Sequence, residues 1–371
     1  MAEAVEVTEA DVLRVLDGVS IPELGGSVVS RNLVRQIKIC DGNVAFELDM
    51  PIPGDEMRKA LEARCREALL AAPGVHLVNI RSALRVPGRT VGAGPDLIPG
   101  VKHVIAVGSG KGGVGKSTVA VNLAVALALD GARVGLLDAD VYGPSIPTMM
   151  GIRERPTAVG GKMVPLVRHG VKLMSLGFLM EDDSQHVIWR GPMVGSAVRQ
   201  MVADVLWDEL DYLVVDLPPG TGDAQLTLAQ SVPISGAVVV MTSQDVAVRI
   251  ASKAVGMFLA VKVPVLGVVG NMDSFACPNC YTLTPIFTRG GSEAAAERLG
   301  VPFLGSIPLD PSIVEHGDVG VPTVMAVPES AQAKAFHEVA RRTAAEVSAR
   351  AMAEAGSQNA LSGLLGRFGR A

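Results

Sequence analysis

Aromatic residues are scarce: they make up 4% of the 371 residues, against 49% hydrophobic residues overall. Aliphatic side chains must therefore fill the core. Cysteine is equally sparse, with only Cys40, Cys65, Cys277 and Cys280, which argues against a disulfide framework. No apolar run reaches the roughly 18 residues of a membrane span. Basic residues are not in excess. The net charge of −5 is unlike that of a general nucleic-acid binder, which presents a basic face. Residues Met1 to Asp11 are acidic and lack the basic and apolar regions of a secretory signal, so a cytoplasmic location is the default expectation. No segment repeats at a period of about 20–50 residues, which sets repeat architectures aside. The histidines His76, His103, His169, His186, His316 and His337 show no metal spacing and no pairing with a Ser or Cys nucleophile.

What the chain does contain is concentrated in residues 104–118, Val-Ile-Ala-Val-Gly-Ser-Gly-Lys-Gly-Gly-Val-Gly-Lys-Ser-Thr. A β-branched apolar run feeds a glycine-rich turn, and Lys116, Ser117 and Thr118 open a helical pattern. Gly110 to Ser117 match G-x-x-x-x-G-K-[ST], the phosphate-binding loop. Glycines let successive backbone N–H groups turn toward phosphate oxygens, which a Cβ would obstruct. The candidate nucleotide-binding residues are Gly110, Lys111, Gly112, Gly113, Val114, Gly115, Lys116, Ser117 and Thr118. Lys116 is expected to neutralise the β- and γ-phosphates of ATP and Ser117 to ligate Mg²⁺. Lys111 is a second lysine that an ordinary loop of this kind lacks. Gly108, Gly110 and Gly113 also spell G-x-G-x-x-G, with Asp138 where a dinucleotide fold places its ribose-binding acid. The Lys-Ser pair and the downstream Asp216 favour a nucleoside triphosphate instead.

The length allows two domains. Residues 1–84 read as a small α+β region: a helix from Glu9 to Leu16, strands over 33–39 and 44–48 around Asp41-Gly42, a helix over 55–71 and a strand over 75–80. Residues 85–100 are rich in Gly and Pro and read as a linker. Residues 101–348 alternate strands (103–108, 133–138, 212–216, 236–241, 265–270, 302–306) with helices such as 116–129 and 245–260. Near-continuous apolar strands suit a doubly wound, mostly parallel α/β sheet covered on both faces. Residues 349–371 form a polar to amphipathic tail. There Leu361, Leu364, Leu365 and Phe368 fall at helical spacing, but Gly363, Gly366 and Gly369 weaken that helix, and membrane contact is not expected.

Acids at the ends of parallel strands lie on the edge where ligands bind. Strand 133–138 leads into Asp138-Ala139-Asp140, and strand 212–216 ends in Asp216 before Leu-Pro-Pro-Gly-Thr-Gly-Asp223. Asp216 is assigned to the metal side and Asp140 to orienting the attacking water, since phosphoryl transfer needs positioning and charge neutralisation. Asp138 and Asp223 are equally readable as helix-capping acids. Gly220 and Gly222 give the segment after Asp216 the freedom of a nucleotide switch.

Cys277-Pro-Asn-Cys280 follows the strand ending near Gly270. Two thiolates clasp one edge of a metal centre, whereas full thiolate ligation takes four. Two copies of the chain supply four, which suits either a [4Fe–4S] cluster or tetrahedral zinc. A redox-active pair is the remaining chemical option.

Taken together, Gly-Lys-Gly-Gly-Val-Gly-Lys-Ser-Thr, Leu-Leu-Asp-Ala-Asp-Val-Tyr-Gly-Pro-Ser-Ile-Pro (136–147), Trp-Arg-Gly-Pro-Met (189–193), Asp-Leu-Pro-Pro-Gly-Thr-Gly-Asp (216–223) and Cys-Pro-Asn-Cys resemble the Mrp/ApbC family. These are deviant-Walker-A ATPases that carry iron–sulfur clusters. The resemblance covers about residues 100–340, and the first domain resembles the MIP-type metal–sulfur domain often fused ahead of it. It implies an ATPase that binds a [4Fe–4S] cluster at a homodimer interface through Cys277 and Cys280 and transfers it to apo-proteins. It further implies that Lys111 reaches the partner's phosphates and that Asn271 contacts adenine. Two positions depart from the pattern. Asp55 follows Pro53-Gly54 where a Cys is common, and Tyr281 follows the second Cys where Gly is common. The alternatives are a MinD/ParA-like partitioning ATPase, which has no need of the Cys pair, and a zinc-bridged scaffold dimer.

Overall fold

Among the described residues a nine-stranded sheet organises the larger part of the molecule, in the order Leu283–Pro285, Val265–Ala276, Gly236–Met241, Val101–Ser109, Leu210–Asp216, Val134–Asp138, Val171–Ser175, Leu166–Arg168, with Phe303–Leu309 beside Val265–Ala276. The computed structural model describes residues 6–89, 96–140, 143–179, 191–277, 280, 282–286 and 291–368. The chain forms two compact units, Val91–Thr343 and Met1–Thr90 together with Ala344–Ala371.

In the first unit α1 (Glu9–Leu16), β1 (Val34–Cys40), β2 (Asn43–Met50), α2 (Asp55–Leu70) and β3 (Leu77–Leu84) follow one another. Thr8 and Asp11 close a reciprocal capping box at the start of α1, satisfying N–H groups the helix cannot use. β1 pairs antiparallel with β2 across the Asp41-Gly42 turn, and β2 pairs parallel with β3. Leu61, Cys65 and Leu69 of α2 are buried, one helical face against the sheet. Burial pushes the Cys65 thiol up to about 11, as expected of an inert packed sulfur.

The second unit begins with β4 (Val101–Ser109), α3 (Lys116–Leu129), β5 (Val134–Asp138) and the short α4 (Ile146–Met149). The small pieces β6 (Ala158–Val159), β7 (Lys162–Met163) and β8 (Leu166–Arg168) lead to β9 (Val171–Ser175). Then come α5 (Gly191–Ala203), β10 (Leu210–Asp216), α6 (Asp223–Ser231), β11 (Gly236–Met241), α7 (Asp245–Ala260) and β12 (Val265–Ala276). The unit continues through β13 (Leu283–Pro285), α8 (Gly291–Leu299), β14 (Phe303–Leu309), α9 (Pro311–Val319) and α10 (Thr323–Ala326). Helix α11 (Ala331–Phe368) closes the described chain; its turns from Ala344 count with the first unit, where Ser348 Oγ donates to Pro51 O at 2.8 Å.

The central strands β5, β10 and β11 are buried along their whole length, as expected when helices cover both faces of a parallel sheet. Ten of the fourteen residues of α3 are buried too, so this helix is core rather than amphipathic cover. Pairing is parallel throughout the centre, and among the described residues of this sheet β8 and β13 are the antiparallel additions. The sheet is thus mostly parallel and doubly wound. Strand β9 was not expected from the sequence, because its Lys172 interrupts the apolar run. Strand β12 also runs beyond Gly270, since antiparallel pairing with β13 recruits the polar segment up to Ala276. Among the described residues no helix is long and apolar enough to cross a membrane.

Candidate functional site

Strand register assembles the site. Asp216 at the end of β10 lies level with Asp138 of β5 on one side and Val107 of β4 on the other. Three strand ends and the loop between β4 and α3 therefore share one corner of the sheet. In that loop Gly113 and Gly115 take left-handed backbone angles, φ 75° and 77°, so the loop can curl over the start of α3. A Cβ at Gly115 would also strike the Asn271 side chain. The Asn271 amide nitrogen donates to Val114 O at 2.8 Å, which fixes the loop against β12.

Lys116 is buried, and its Nζ lies 2.6 Å from Asp216 Oδ1 and 3.6 Å from Asp140 Oδ2. Ser117 Oγ donates to Asp216 Oδ2 at 2.6 Å. Two of the sequence-derived residues, Lys116 and Ser117, thus converge on a third, Asp216, with Asp140 at their edge. Burial raises the pKa of Asp216, and the Lys116 ammonium opposes that shift. Burial likewise pushes Asp138 up to about 7, reinforced by the nearby Asp216 charge. Asp138 is held on both oxygens: Asp140 N donates to Oδ1 at 3.1 Å and Ser175 Oγ to Oδ2 at 3.0 Å. Lys111, Gly112, Gly113 and Thr118 line the partly exposed rim of the same loop. Ser175 was not anticipated. The sequence carries no local signal for it, since β9 itself does not read as a strand.

The two cysteines stand on a hairpin at the far end of β12. Cys277 N donates to Thr282 O at 3.1 Å, and Ile286 N donates to Asp273 O at 3.2 Å, closing the β12–β13 pair around the cysteine segment. Cys277 is half-buried and Cys280 exposed. The Cys280 Sγ lies 3.2 Å from Thr282 Oγ1, and hydrogen bonding from Thr282, then from Cys277, lowers its pKa. A cavity of about 530 Å³ opens beside Cys277. Among the described residues no three His, Cys, Asp or Glu side chains gather as a metal site; Cys40 is exposed and Cys65 buried in the other unit. Among the described residues this hairpin therefore carries two thiols and no third ligand-type side chain gathered with them. Val141, Tyr142, Trp189, Arg190, Pro278, Asn279 and Tyr281 of the motifs lie outside the described residues, as does His186.

Comparison with known proteins agrees with this geometry. Residues 100–344 match the family model of the NUBPL iron-transfer P-loop NTPase, and residues 9–81 match that of an iron–sulfur cluster assembly protein. An iron–sulfur cluster carrier protein of Synechocystis sp. is 46% identical over 352 residues, covering 93% of this chain and 99% of the relative. Its Escherichia coli counterpart is 44% identical over 354 residues, 93% and 94% of the two chains. Among solved structures, a nucleotide-binding protein from Archaeoglobus fulgidus in complex with ADP is 40% identical, with a TM-score of 0.54 over 59% of this chain and 87% of that one. McdA of Cyanothece, at 15% identity and a TM-score of 0.50 over 68% of this chain and 97% of that one, shares the fold alone. With a phosphate loop, strand-end acids and a thiol pair on one sheet, this chain belongs to the iron–sulfur cluster carrier family of P-loop NTPases.

Proposed function

We propose that the protein hydrolyses ATP and carries a [4Fe–4S] cluster between the Cys277/Cys280 pairs of two copies, delivering it to apo iron–sulfur proteins. The observation that carries this reading is the half-site: two accessible thiols on a braced hairpin, with no further ligand gathered around them among the described residues. Cluster ligation by cysteine takes four thiolates, and a twofold axis doubles two into four. Delivery then exchanges thiolates, each Fe–S(Cys) bond of the carrier giving way to one from the recipient, with no net oxidation.

At the nucleotide end the chain's own groups divide the work. Backbone N–H groups of Gly112 to Ser117 and the start of α3 cradle the phosphates. Lys116 turns from Asp216 to the β- and γ-phosphates. Ser117 and, through water, Asp216 would hold Mg²⁺; adjacent oxygen donors suit that hard cation, which neutralises charge developing on the phosphates. Asp140 orients the attacking water, Lys111 reaches the phosphates of the partner copy, and Asn271 contacts adenine. The ADP in the Archaeoglobus relative supports a nucleotide in this loop. The cytoplasm is the compartment that suits labile clusters and free thiols.

Anaerobic reconstitution of the full chain, with iron and sulfide counted per dimer, tests the reading. Four of each per two chains is expected, and Cys277→Ala with Cys280→Ala should abolish the cluster while the nucleotide affinity of the metal-free chain stays within about twofold, since neither cysteine shares a partner with the phosphate loop. One tightly held zinc per dimer in place of iron would establish the scaffold reading. Full cluster occupancy in the double variant would remove the cysteine assignment.

A further inference from the structure

Strand β12 touches the nucleotide loop through Asn271 and leads directly into the thiol pair. Asn271 of β12 is bonded to the phosphate loop, and Cys277 follows six residues later, roughly 20 Å of extended chain. Between them the strand is irregular. Met272 has a left-handed φ of 60°, and pairing with β14 jumps from Asn271↔Ile307 to Phe275↔Leu309, so β12 advances four residues while β14 advances two. Left alone, such a bulge would be a soft point where motion is lost.

The bulge is nailed down by Asp273. Its Oδ1 accepts from Ser292 Oγ of α8 at 2.9 Å, and its Oδ2 accepts from Ser306 Oγ of β14 at 2.9 Å. Its backbone carbonyl accepts from Ile286 N, the base of the cysteine hairpin. The carboxylate folds back over Gly270, where a Cβ would collide with it and with Ser292. Burial raises its pKa, and the hydroxyls of Ser292 and Ser306 oppose that shift. Through these three bonds Asp273 ties the hairpin base, α8 and β14 to the bulge of β12.

We infer that Asp273, held by Ser292 and Ser306, is a positioning residue that makes the cysteine hairpin move with the nucleotide end of β12. This rests on the reading above, in which nucleotide state governs cluster holding. Displacement of Asn271 by a changing phosphate loop then reaches Cys277 and Cys280 as a change in their exposure. Without the clamp it dissipates in the Met272–Ser274 bulge.

The test is alkylation of Cys277 and Cys280 in the metal-free full chain, followed by mass spectrometry, with Mg²⁺-ADP and with a non-hydrolysable Mg²⁺-ATP analogue. In the unmodified protein the two nucleotides should give rates differing about fivefold or more, the scale of ordinary coupling between sites. Asp273→Ala should bring the ratio to about one while nucleotide affinity stays within about twofold. Asp273→Asn, which can still accept from one serine and reach the other with its amide, should retain part of the ratio. A full ratio in Asp273→Ala overturns the inference and leaves the carrier reading intact. A ratio of one in the unmodified protein overturns nucleotide control itself and the inference with it. Should Asp273→Ala lose its far-ultraviolet circular dichroism, the paired Ser292→Ala and Ser306→Ala variant decides: a retained ratio there sinks the inference, and a lost one supports it.

Discussion

At the scale of single residues the nucleotide corner is a balance of buried charge. Asp138 and Asp216 are both fully buried, and Lys116 is the cation set against them. Removing one partner of a buried pair leaves the other without compensation. Lys116→Ala should therefore stop ATP hydrolysis and cost about 2–4 kcal/mol of stability near pH 8. The sign of the pH dependence follows from Asp216, whose folded pKa already lies above its unfolded value. An acid with a raised folded pKa holds its proton more tightly when folded, so stability falls as pH rises. The variant's deficit should shrink toward pH 5 and widen toward pH 8, as read by urea denaturation at several pH values. An unchanged hydrolysis rate would show that Lys116 is not the phosphate lysine.

At the scale of elements, the junction of α3 with α11 carries its own titration. Asp130 caps the carboxyl end of α3, where a negative charge is unfavourable against the helix dipole. His337 of α11 places Nδ1 3.4 Å from that carboxylate, and the Asp130 hydrogen bond raises the His337 pKa. The resulting stabilisation is complete below the unfolded value near 6.5 and disappears as pH rises through the higher folded value. Between pH 6 and pH 9 the unmodified protein should lose about 0.5–1 kcal/mol more than His337→Gln, a size set by the partial exposure of the pair. Parallel pH profiles for the two proteins would show that the pair contributes nothing.

Elements also show how far local pattern reaches. The phosphate loop was legible because its glycines, Lys116 and Ser117 are contiguous, and a run of fixed spacing needs no fold to be recognised. The strands β4, β5, β10 and β11 were legible because burial on both faces forces unbroken apolar runs. The reach of β12 to Ala276 was not, since Asn271, Asp273 and Ser274 read as loop until β13 and β14 pair with them. The Ser175 hold on Asp138 and the Ser306 hold on Asp273 span 37 and 33 residues. A serine so far from its partner carries no local mark of what it will meet.

At the scale of the whole molecule, the proposed dimer makes each nucleotide site depend on both chains, since Lys111 would serve the partner's phosphates. Mixing Lys111→Ala with Lys116→Ala, each inactive alone, should then restore hydrolysis. A statistical mixture has half of its dimers mixed and one working site in each of those, so about a quarter of normal activity per chain is expected. No recovery on mixing would place Lys111 in its own site instead.

The order of residues along the chain was enough to settle which groups this protein owns: a phosphate loop, strand-end acids, and a single close pair of thiols. Those are local patterns, set by backbone freedom and by the period of burial. Only the tertiary structure decided how they face one another. Register across β5, β4 and β10 brings Asp138, Asp216 and Lys116 together, and β12 spans from the phosphate loop to the cysteine hairpin with Asp273 clamped between. The reason is that pairing and packing join residues tens of positions apart, and no short window of sequence contains both ends of such a contact.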